Sequence, residues 1–199
     1  LADMPALKKY RHEAQTNGRL TIKADADRVV LLAYLDGLNE PPVAQYVDAK
    51  PNRSFGTPNK PVCVVNWFES DACCRFFGGR LPTEAEWEKA ARGTDGRTYP
   101  WGNQFDKIRC ITKENATVEG QPALIAPVGS CENGKSPYGA MDMSGNVWEW
   151  TSSYNDRYSV LKGGSFFEGK ESSTTYASLL SIPDDAKDYV GFRCVKDVK

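Results

Sequence analysis

The stretch VVNWFESDACCRFFGGRLPTEAEWEKAARG, residues 64–93, predicts two short helices with defined ends. In its first half, Asn66 stands just before an apolar run, Glu69 follows three positions later, and Gly78 and Gly79 come after the run. This is the pattern of a capping box, in which two side chains accept hydrogen bonds from the free N–H groups at the start of a helix. The glycine pair is typical of a helix end. We therefore expect a helix between Asn66 and Gly78.

The second half of the stretch repeats these signals. Thr83 and Glu86 stand in the capping-box arrangement, and Gly93 follows the apolar run. In both segments the apolar residues recur at helical spacing, so each helix is expected to bury one side. Glu84 and Glu86 are accordingly interpreted as residues of a helix start and not as a catalytic acid–base pair.

From Arg97 onward the sequence is rich in aromatic residues, Gly and Pro, and no helical period of useful length remains. This pattern indicates irregular loops and short strands around buried aromatic side chains, so the predicted fold class is α+β with much irregular structure. Most of the four tryptophans are expected to be core residues whose indole N–H groups find local partners, and a binding platform is the alternative. The tryptophans concerned are Trp87, Trp101, Trp148 and Trp150.

The first part of the chain carries weaker signals. Residues 1–17 are polar and are predicted to be a helical appendage to a single domain of residues 18–199. The longest apolar run, Val29–Leu35, is too short to cross a bilayer and is interpreted as a buried strand. No membrane span is therefore expected.

Charge and histidine content exclude several classes of function. The chain has 25 basic and 26 acidic residues, which are interspersed and give a net charge of −1. Nucleic-acid binding requires a concentration of Lys and Arg, so no nucleic-acid partner is expected. The one histidine, His12, excludes most metallohydrolase and catalytic-triad chemistries, which need several imidazoles or a positioned base.

The six cysteines are not spaced as in a zinc ribbon. Disulfide bonds are expected in an oxidising compartment, but the sequence alone does not fix their pairing. Cys110 and Cys131 flank an irregular segment and are candidates for a pair. The oxidation state of Cys63 and Cys73 stays open.

Five motifs in their order resemble the formylglycine-generating enzyme family, also called the sulfatase-modifying factor family. They are VVNWFESDACCRFFGGRLPTEAEWEKAARG, YPWGNQFD, SPYGAMDMSGNVWEWTSS, LKGGSF and VGFRCV. The resemblance covers roughly residues 18–196. It implies a variant of the C-type lectin fold, with two helices, short strands and long irregular loops.

The resemblance also implies that the family's catalytic site is absent. In the copper-dependent enzymes of the family, two cysteines after the GGS motif bind Cu(I), which prefers soft thiolate ligands. The corresponding positions here are Glu168 and Ser173, and no cysteine stands between Cys131 and Cys194. A related iron-dependent branch uses a histidine triad in a separate domain, which one histidine cannot supply. We therefore expect no catalytic residues, no copper and no iron.

Two structural features are implied by the resemblance. Relatives enclose a calcium ion in the loop that corresponds to MDMSGNVWEW, and calcium prefers carboxylate and carbonyl oxygens. The implied ligands of a structural calcium ion are Asp142, Gly145, Val147 and Glu149. Family members also join two cysteines at the positions of Cys74 and Cys194, which implies a disulfide bond between the first helix and the last strand.

A ligand-binding surface is predicted where the enzymes receive their substrate peptide. The sequence after the GGS motif combines aromatic, charged and hydroxyl side chains without a period, which suits an adaptable binding surface. A polar loop without a partner is the structural alternative. The predicted contact residues, including a preceding group expected to border the same face, are Tyr154, Asn155, Arg157, Tyr158, Phe166, Phe167, Glu168, Lys170, Glu171, Ser172, Ser173, Thr174, Thr175, Tyr176 and Ser178.

The predicted function is non-catalytic binding of a protein or another macromolecule. The segment before VGFRC also resembles the diversified region of variable proteins from diversity-generating retroelements, which implies an extracellular, cell-surface or virion location in a virus or prokaryote. One alternative is an enzyme of the sulfatase-modifying type with an altered site. Another is a calcium-dependent carbohydrate lectin, although the signature triplets of such lectins are absent. The sequence does not fix the oligomeric state.

Overall fold

The computed structural model describes residues 60–115 and 124–197. The predicted appendage, residues 1–17, and the predicted strand at Val29–Leu35 lie outside the described residues. The description below concerns the two described ranges.

Two helices form where the sequence predicts them. Helix α1 spans Trp67–Phe76 and helix α2 spans Glu84–Arg92. At the start of α1, the Asn66 side chain accepts a hydrogen bond from the Glu69 N–H at 2.9 Å, and the Glu69 carboxylate accepts one from the Asn66 N–H at 2.8 Å. A reciprocal capping box of the same kind begins α2. Both predicted helix starts are confirmed.

A four-stranded mixed sheet forms the centre of the described part of the chain. The strands lie in the order β3–β2–β1–β4, with β1–β2 and β2–β3 antiparallel and β1–β4 parallel. The strands are β1 at Trp148–Asn155, β2 at Tyr158–Lys162, β3 at Ser178–Ser181 and β4 at Val190–Phe192. Single turns of 3₁₀ helix lie at Lys107–Arg109, Lys113–Asn115 and Glu132–Gly134. Two helices and a small sheet separated by long loops confirm the α+β prediction.

The main hydrophobic core lies between α1 and one face of the sheet. Trp67 of α1 packs there with Trp148 and Trp150 of β1 and with Leu161 of β2. The Trp67 indole N–H donates to the Thr151 carbonyl at 2.7 Å. A buried indole N–H is costly without a partner. The Thr151 carbonyl supplies this partner, so Trp67 can be a core residue.

Helix α2 packs on the opposite face. Side chains alternate along a strand, so Glu149 points away from the Trp148 and Trp150 face. The Trp87 indole N–H of α2 donates to the Glu149 carboxylate at 2.6 Å. Trp87, Trp148 and Trp150 are buried, as predicted, whereas Trp101 is half-buried.

A disulfide bond joins Cys74 of α1 to Cys194, which follows β4, and their Cα atoms are 5.2 Å apart. The pairing implied by the family resemblance is therefore present. It connects the first described helix to the end of the sheet across a sequence separation of 120 residues.

Candidate ligand-binding surface

The β2–β3 loop, residues 163–177, leaves the sheet at the end where Lys162 pairs with Ser178. It folds back on itself at Gly164, which has a φ of +75°. A Cβ atom at this position would lie 2.6 Å from the Ser172 carbonyl oxygen, so glycine alone permits this approach. The second glycine of the GGS motif thus closes the loop into a compact unit.

Backbone hydrogen bonds attach the β2–β3 loop to neighbouring segments. The Thr175 N–H donates to the Thr98 carbonyl at 2.8 Å, and the Lys113 N–H donates to the Glu168 carbonyl at 3.0 Å. Each half of the loop backbone is therefore attached to a segment that is distant in the sequence. A loop fixed in this way presents its exposed side chains at defined positions.

The exposed side chains of the loop are aromatic and charged. Phe167 is 63% exposed and Tyr176 is 52% exposed, and Lys170 and Glu171 are exposed between them. The Phe167 ring stacks on Tyr189, with ring centroids 6.2 Å apart and an interplanar angle of 12°. This stacking orients an aromatic ring that still faces solvent. Phe167, Lys170, Glu171 and Tyr176 are therefore exposed, as a contact surface requires.

Three of the predicted contact residues are buried instead. Ser173, Thr174 and Thr175 have at most 5% of their surface exposed. The Thr175 hydroxyl donates to the Arg97 carbonyl at 2.8 Å, and the Ser173 hydroxyl donates to the Gly169 carbonyl at 3.3 Å. Their polar groups satisfy backbone carbonyls inside the fold, so these three side chains lie beneath the surface that the exposed loop residues form.

Glu168 lies beneath the exposed residues. Its carboxylate accepts hydrogen bonds from the Trp148 indole N–H, at 2.9 Å, and from the Ser165 hydroxyl. The side chain therefore links the loop to the core. Of the other predicted residues, Phe166 and Ser172 are also half-buried, and Ser178 is exposed on β3.

The β1–β2 hairpin lies at the other end of the sheet. Asn155 pairs with Tyr158 at its tip, and β2 then runs to Lys162 before the loop begins. Four residues of extended strand span about 13 Å. The predicted group Tyr154, Asn155, Arg157 and Tyr158 therefore does not border the loop. Tyr154 is 51% exposed, so the hairpin tip is a separate surface.

A partly buried ion pair stands next to β1, with the Glu149 side chain 7% exposed and the Arg193 side chain 27% exposed. Arg193, from the segment after β4, binds both carboxylate oxygens of Glu149, with 2.6 Å from Nη2 to Oε1. The same guanidinium donates to the Met141 carbonyl at 3.1 Å. Because Trp87 also donates to Glu149, the carboxylate accepts three hydrogen bonds from two residues, two from Arg193 and one from Trp87. Arg193 is a residue that the sequence reasoning missed.

The predicted calcium ligands are brought together in part. Asp142, Val147 and Glu149 line one cavity of about 500 Å³ with Arg193, whereas Gly145 is not among its lining residues. Calcium requires six to eight oxygen ligands. Here the Glu149 carboxylate is already neutralised by Arg193, and burial raises the pKa of the Asp142 carboxyl, which disfavours its charged form.

Calcium binding at Asp142, Gly145, Val147 and Glu149 therefore stays a prediction, with Arg193 as a competing counter-charge for Glu149. In the part of the chain that the structure describes, no three His, Cys, Asp or Glu side chains are placed to hold a metal. The positive charge that balances Glu149 comes from a guanidinium of the chain itself.

The remaining described cysteines are free thiols. Cys110 and Cys131 do not form the second pair that the sequence suggested, and Cys63 and Cys73 are also unpaired with another cysteine. Burial raises the pKa of Cys63 and of Cys110 to about 12. Thiols that stay protonated are poor nucleophiles and poor metal ligands.

Lys162, which the sequence reasoning also missed, positions the end of the β2–β3 loop. The Lys162 side chain is fully buried, and its ammonium group lies 3.2 Å from Glu88 and 3.4 Å from Glu84 of α2. It also donates to the Tyr176 carbonyl at 3.1 Å. The buried charge is therefore paired and at the same time holds the backbone of an exposed aromatic residue.

The fold and the loop define a C-type lectin-like α+β domain. The model of the sulfatase-modifying factor enzyme 1-like domain matches residues 24–198, and the chain belongs to this family. Neither of the α-helices in the described ranges could span a bilayer.

Three known proteins illustrate the relationship. The inactive C-alpha-formylglycine-generating enzyme 2 of Bos taurus is 37% identical over 149 residues, which cover 67% of this chain and 49% of the relative. The formylglycine-generating enzyme of Streptomyces coelicolor is 35% identical over 173 residues, covering 71% of this chain and 54% of the relative. The chain thus spans about half the length of these curated relatives.

The third is a solved structure, variable protein 1 of Treponema denticola. It superimposes with a TM-score of 0.58 at 18% identity, and the match covers 82% of this chain and 79% of that chain. At this identity the similarity concerns the fold alone.

Proposed function

We propose that this protein is a non-catalytic binding protein whose β2–β3 loop contacts a protein or another macromolecule. The observation that carries the proposal is the combination of a fixed loop backbone with exposed Phe167, Lys170, Glu171 and Tyr176. Rigid aromatic side chains supply contact area at low entropic cost, and charged neighbours add specificity. An extracellular, cell-surface or virion location belongs to the same proposal.

The site chemistry supports a role without catalysis. Glu168 and Ser173 stand where the family enzymes carry their copper-binding cysteines, and their oxygen atoms bond to groups of the fold. Oxygen ligands do not replace two thiolates for Cu(I). A relative named as an inactive formylglycine-generating enzyme agrees with this assignment.

The shared fold with a variable protein supports a further version of the proposal, in which a retroelement diversifies the surface. Sister copies of the gene would then differ at exposed positions such as Phe167 and Tyr176 and agree at buried Ser173 and Thr175. Identical sister copies would remove this version and leave the binding role intact.

The binding role predicts a strong effect of truncating the exposed rings. A random peptide library displayed on phage is panned against the full chain, and the affinities of recovered peptides are measured. We expect Phe167→Ala with Tyr176→Ala to weaken binding of these peptides at least 10-fold, because buried aromatic anchors dominate binding energy.

Phe77→Ala is the matched control, because Phe77 is an exposed phenylalanine (56%) outside the loop and beyond α1. It should leave the affinities unchanged. Peptides that bind the double variant as well as the wild type, or no recoverable binder at all, would contradict the proposed surface.

A further inference from the structure

Helix α2 contacts the end of the β2–β3 loop through Arg92 and Tyr176. The central guanidinium carbon of Arg92 lies 5.6 Å from the centroid of the Tyr176 ring, which is within the range of a cation–π contact. The ring remains 52% exposed. A residue of α2 thus touches an aromatic side chain of the proposed contact surface.

Arg92 is itself held in a defined position. Its Nη1 donates to the Glu88 carboxylate at 2.6 Å, and its Nη2 donates to the Gly96 carbonyl. The side chain is 25% exposed. Because a guanidinium is planar, hydrogen bonds from two of its nitrogens fix the orientation of the plane. The cation at the Tyr176 ring is therefore placed by groups other than the ring.

Glu88 joins this contact to a second one at the same tyrosine. Its other carboxylate oxygen lies 3.2 Å from the Lys162 ammonium group, which donates to the Tyr176 carbonyl at 3.1 Å. Burial raises the pKa of the Glu88 carboxyl, but the hydrogen bond from Arg92 and the charge of Lys162 outweigh it and lower the pKa below its ordinary value. One charged carboxylate thus connects a cation at the Tyr176 ring with a cation at the Tyr176 backbone.

Hydrogen bonds on both sides also fix the backbone at Tyr176. The Thr175 N–H donates to the Thr98 carbonyl at 2.8 Å, and the Ala177 N–H donates to the Thr174 carbonyl at 3.2 Å. On a fixed backbone, the direction of a tyrosine ring is set by the choice among the staggered χ1 rotamers. Arg92 contacts the ring and therefore acts on this choice.

We infer that Glu88 and Arg92 are positioning residues, which hold the Tyr176 ring in one orientation for contact with the binding partner. This inference rests on the proposed binding role of the β2–β3 loop. A side chain that is already ordered loses less conformational entropy when it binds, so preorganisation raises affinity without an additional contact. Residues of α2 thus contribute to affinity through Tyr176.

Nuclear magnetic resonance of the full chain with isotope-labelled tyrosine tests the orientation without a ligand. Three-bond couplings that report χ1 should show one rotamer for Tyr176 in the wild type and averaged rotamers in Arg92→Ala. Lys89→Ala is the matched control, because Lys89 also belongs to α2 but lies 5.7 Å from the ring centroid of Tyr138, outside the loop. It should leave the Tyr176 couplings unchanged. Averaged rotamers in the wild type, or one rotamer that Arg92→Ala leaves unchanged, would overturn the inference.

A double-mutant cycle tests the effect on binding, with the peptides recovered by panning as probes. For peptides that Tyr176→Ala weakens, Arg92→Ala should weaken binding about 3- to 10-fold. In the Tyr176→Ala background the same substitution should change the affinity by less than about 2-fold, because its effect passes through the ring. Glu88→Gln keeps the size of the side chain and removes its charge, and it should weaken binding in the same direction. Lys89→Ala should leave the affinities unchanged.

The outcomes separate the positioning role from the binding role. An equal loss of affinity in both backgrounds would show that Arg92 acts only on the stability of the fold, and it would overturn the inference. Binders that Tyr176→Ala leaves unaffected would also overturn it, although Phe167 could still carry the proposed surface. A failure to recover any binder would contradict the proposed function, whereas the χ1 couplings would still decide whether Arg92 orients the ring.

Discussion

Arg193→Ala is expected to lower the free energy of unfolding by about 3 kcal/mol, the lower end of the range for breaking a buried ion pair, because the Arg193 side chain is 27% exposed. Glu149 is 5% exposed, and both of its carboxylate oxygens bind Arg193. Removing the guanidinium leaves the carboxylate with the Trp87 indole and no opposite charge. The large effect follows because an uncompensated buried charge is far more costly than a lost surface contact.

Urea denaturation followed by tryptophan fluorescence measures this difference. Arg75→Ala is the control, because Arg75 forms an i,i+4 ion pair with Asp71 and its side chain is 54% exposed. An exposed pair is worth about 0–1 kcal/mol. The loss of unfolding free energy should therefore be several-fold larger for Arg193→Ala than for Arg75→Ala.

Chelation of calcium tests whether Arg193 or a calcium ion balances the charge of Glu149. With Arg193 as the counter-charge of Glu149, an excess of chelator should leave the unfolding curve of the wild type unchanged. A loss of stability on chelation as large as that of Arg193→Ala would show that a metal ion balances Glu149 and would contradict our assignment.

The second large effect is expected from the disulfide bond. Cys74→Ser with Cys194→Ser should lower the free energy of unfolding by about 4–5 kcal/mol, because the bond closes a loop with a sequence separation of 120 residues. Chemical denaturation of the oxidised wild type and the double variant measures it. Cys73→Ser is the control, because Cys73 is the adjacent free thiol on α1 and should change stability by less than about 1 kcal/mol. Equal stabilities of wild type and double variant would contradict the expectation.

Local signals predicted the helices correctly. The capping boxes at Asn66 and Thr83 depend on residues three positions apart, so they can be seen in the sequence itself. The burial of Trp87, Trp148 and Trp150 was also predicted, because large aromatic side chains need a core. The disulfide bond was implied by family resemblance and not by the residues alone.

Long-range pairing was not predictable. Arg193 and Glu149 are 44 positions apart and meet because β4 lies parallel to β1. The buried Lys162 likewise finds Glu84 and Glu88 only when α2 packs on β2. Neither contact leaves a pattern in the sequence.

Composition also failed to separate exposed from buried polar residues in the loop. Ser and Thr hydroxyls suit a solvated surface, but they equally satisfy backbone carbonyls in a tight loop, as Ser173 and Thr175 do. The sequence analysis placed the hairpin tip beside the β2–β3 loop, whereas the structure places it at the other end of the sheet. Strand register decides which end Tyr154 occupies. Register is a property of the folded sheet.

The central claim is that this family member binds through its loop and does not oxidise cysteine. Its most direct test is incubation of the full chain with Cu(I), oxygen and a cysteine peptide of the sulfatase type, with aldehyde formation followed by mass spectrometry. We expect no aldehyde and no copper retained after buffer exchange. Aldehyde formation that is abolished by Glu168→Ala or Ser173→Ala would contradict the account.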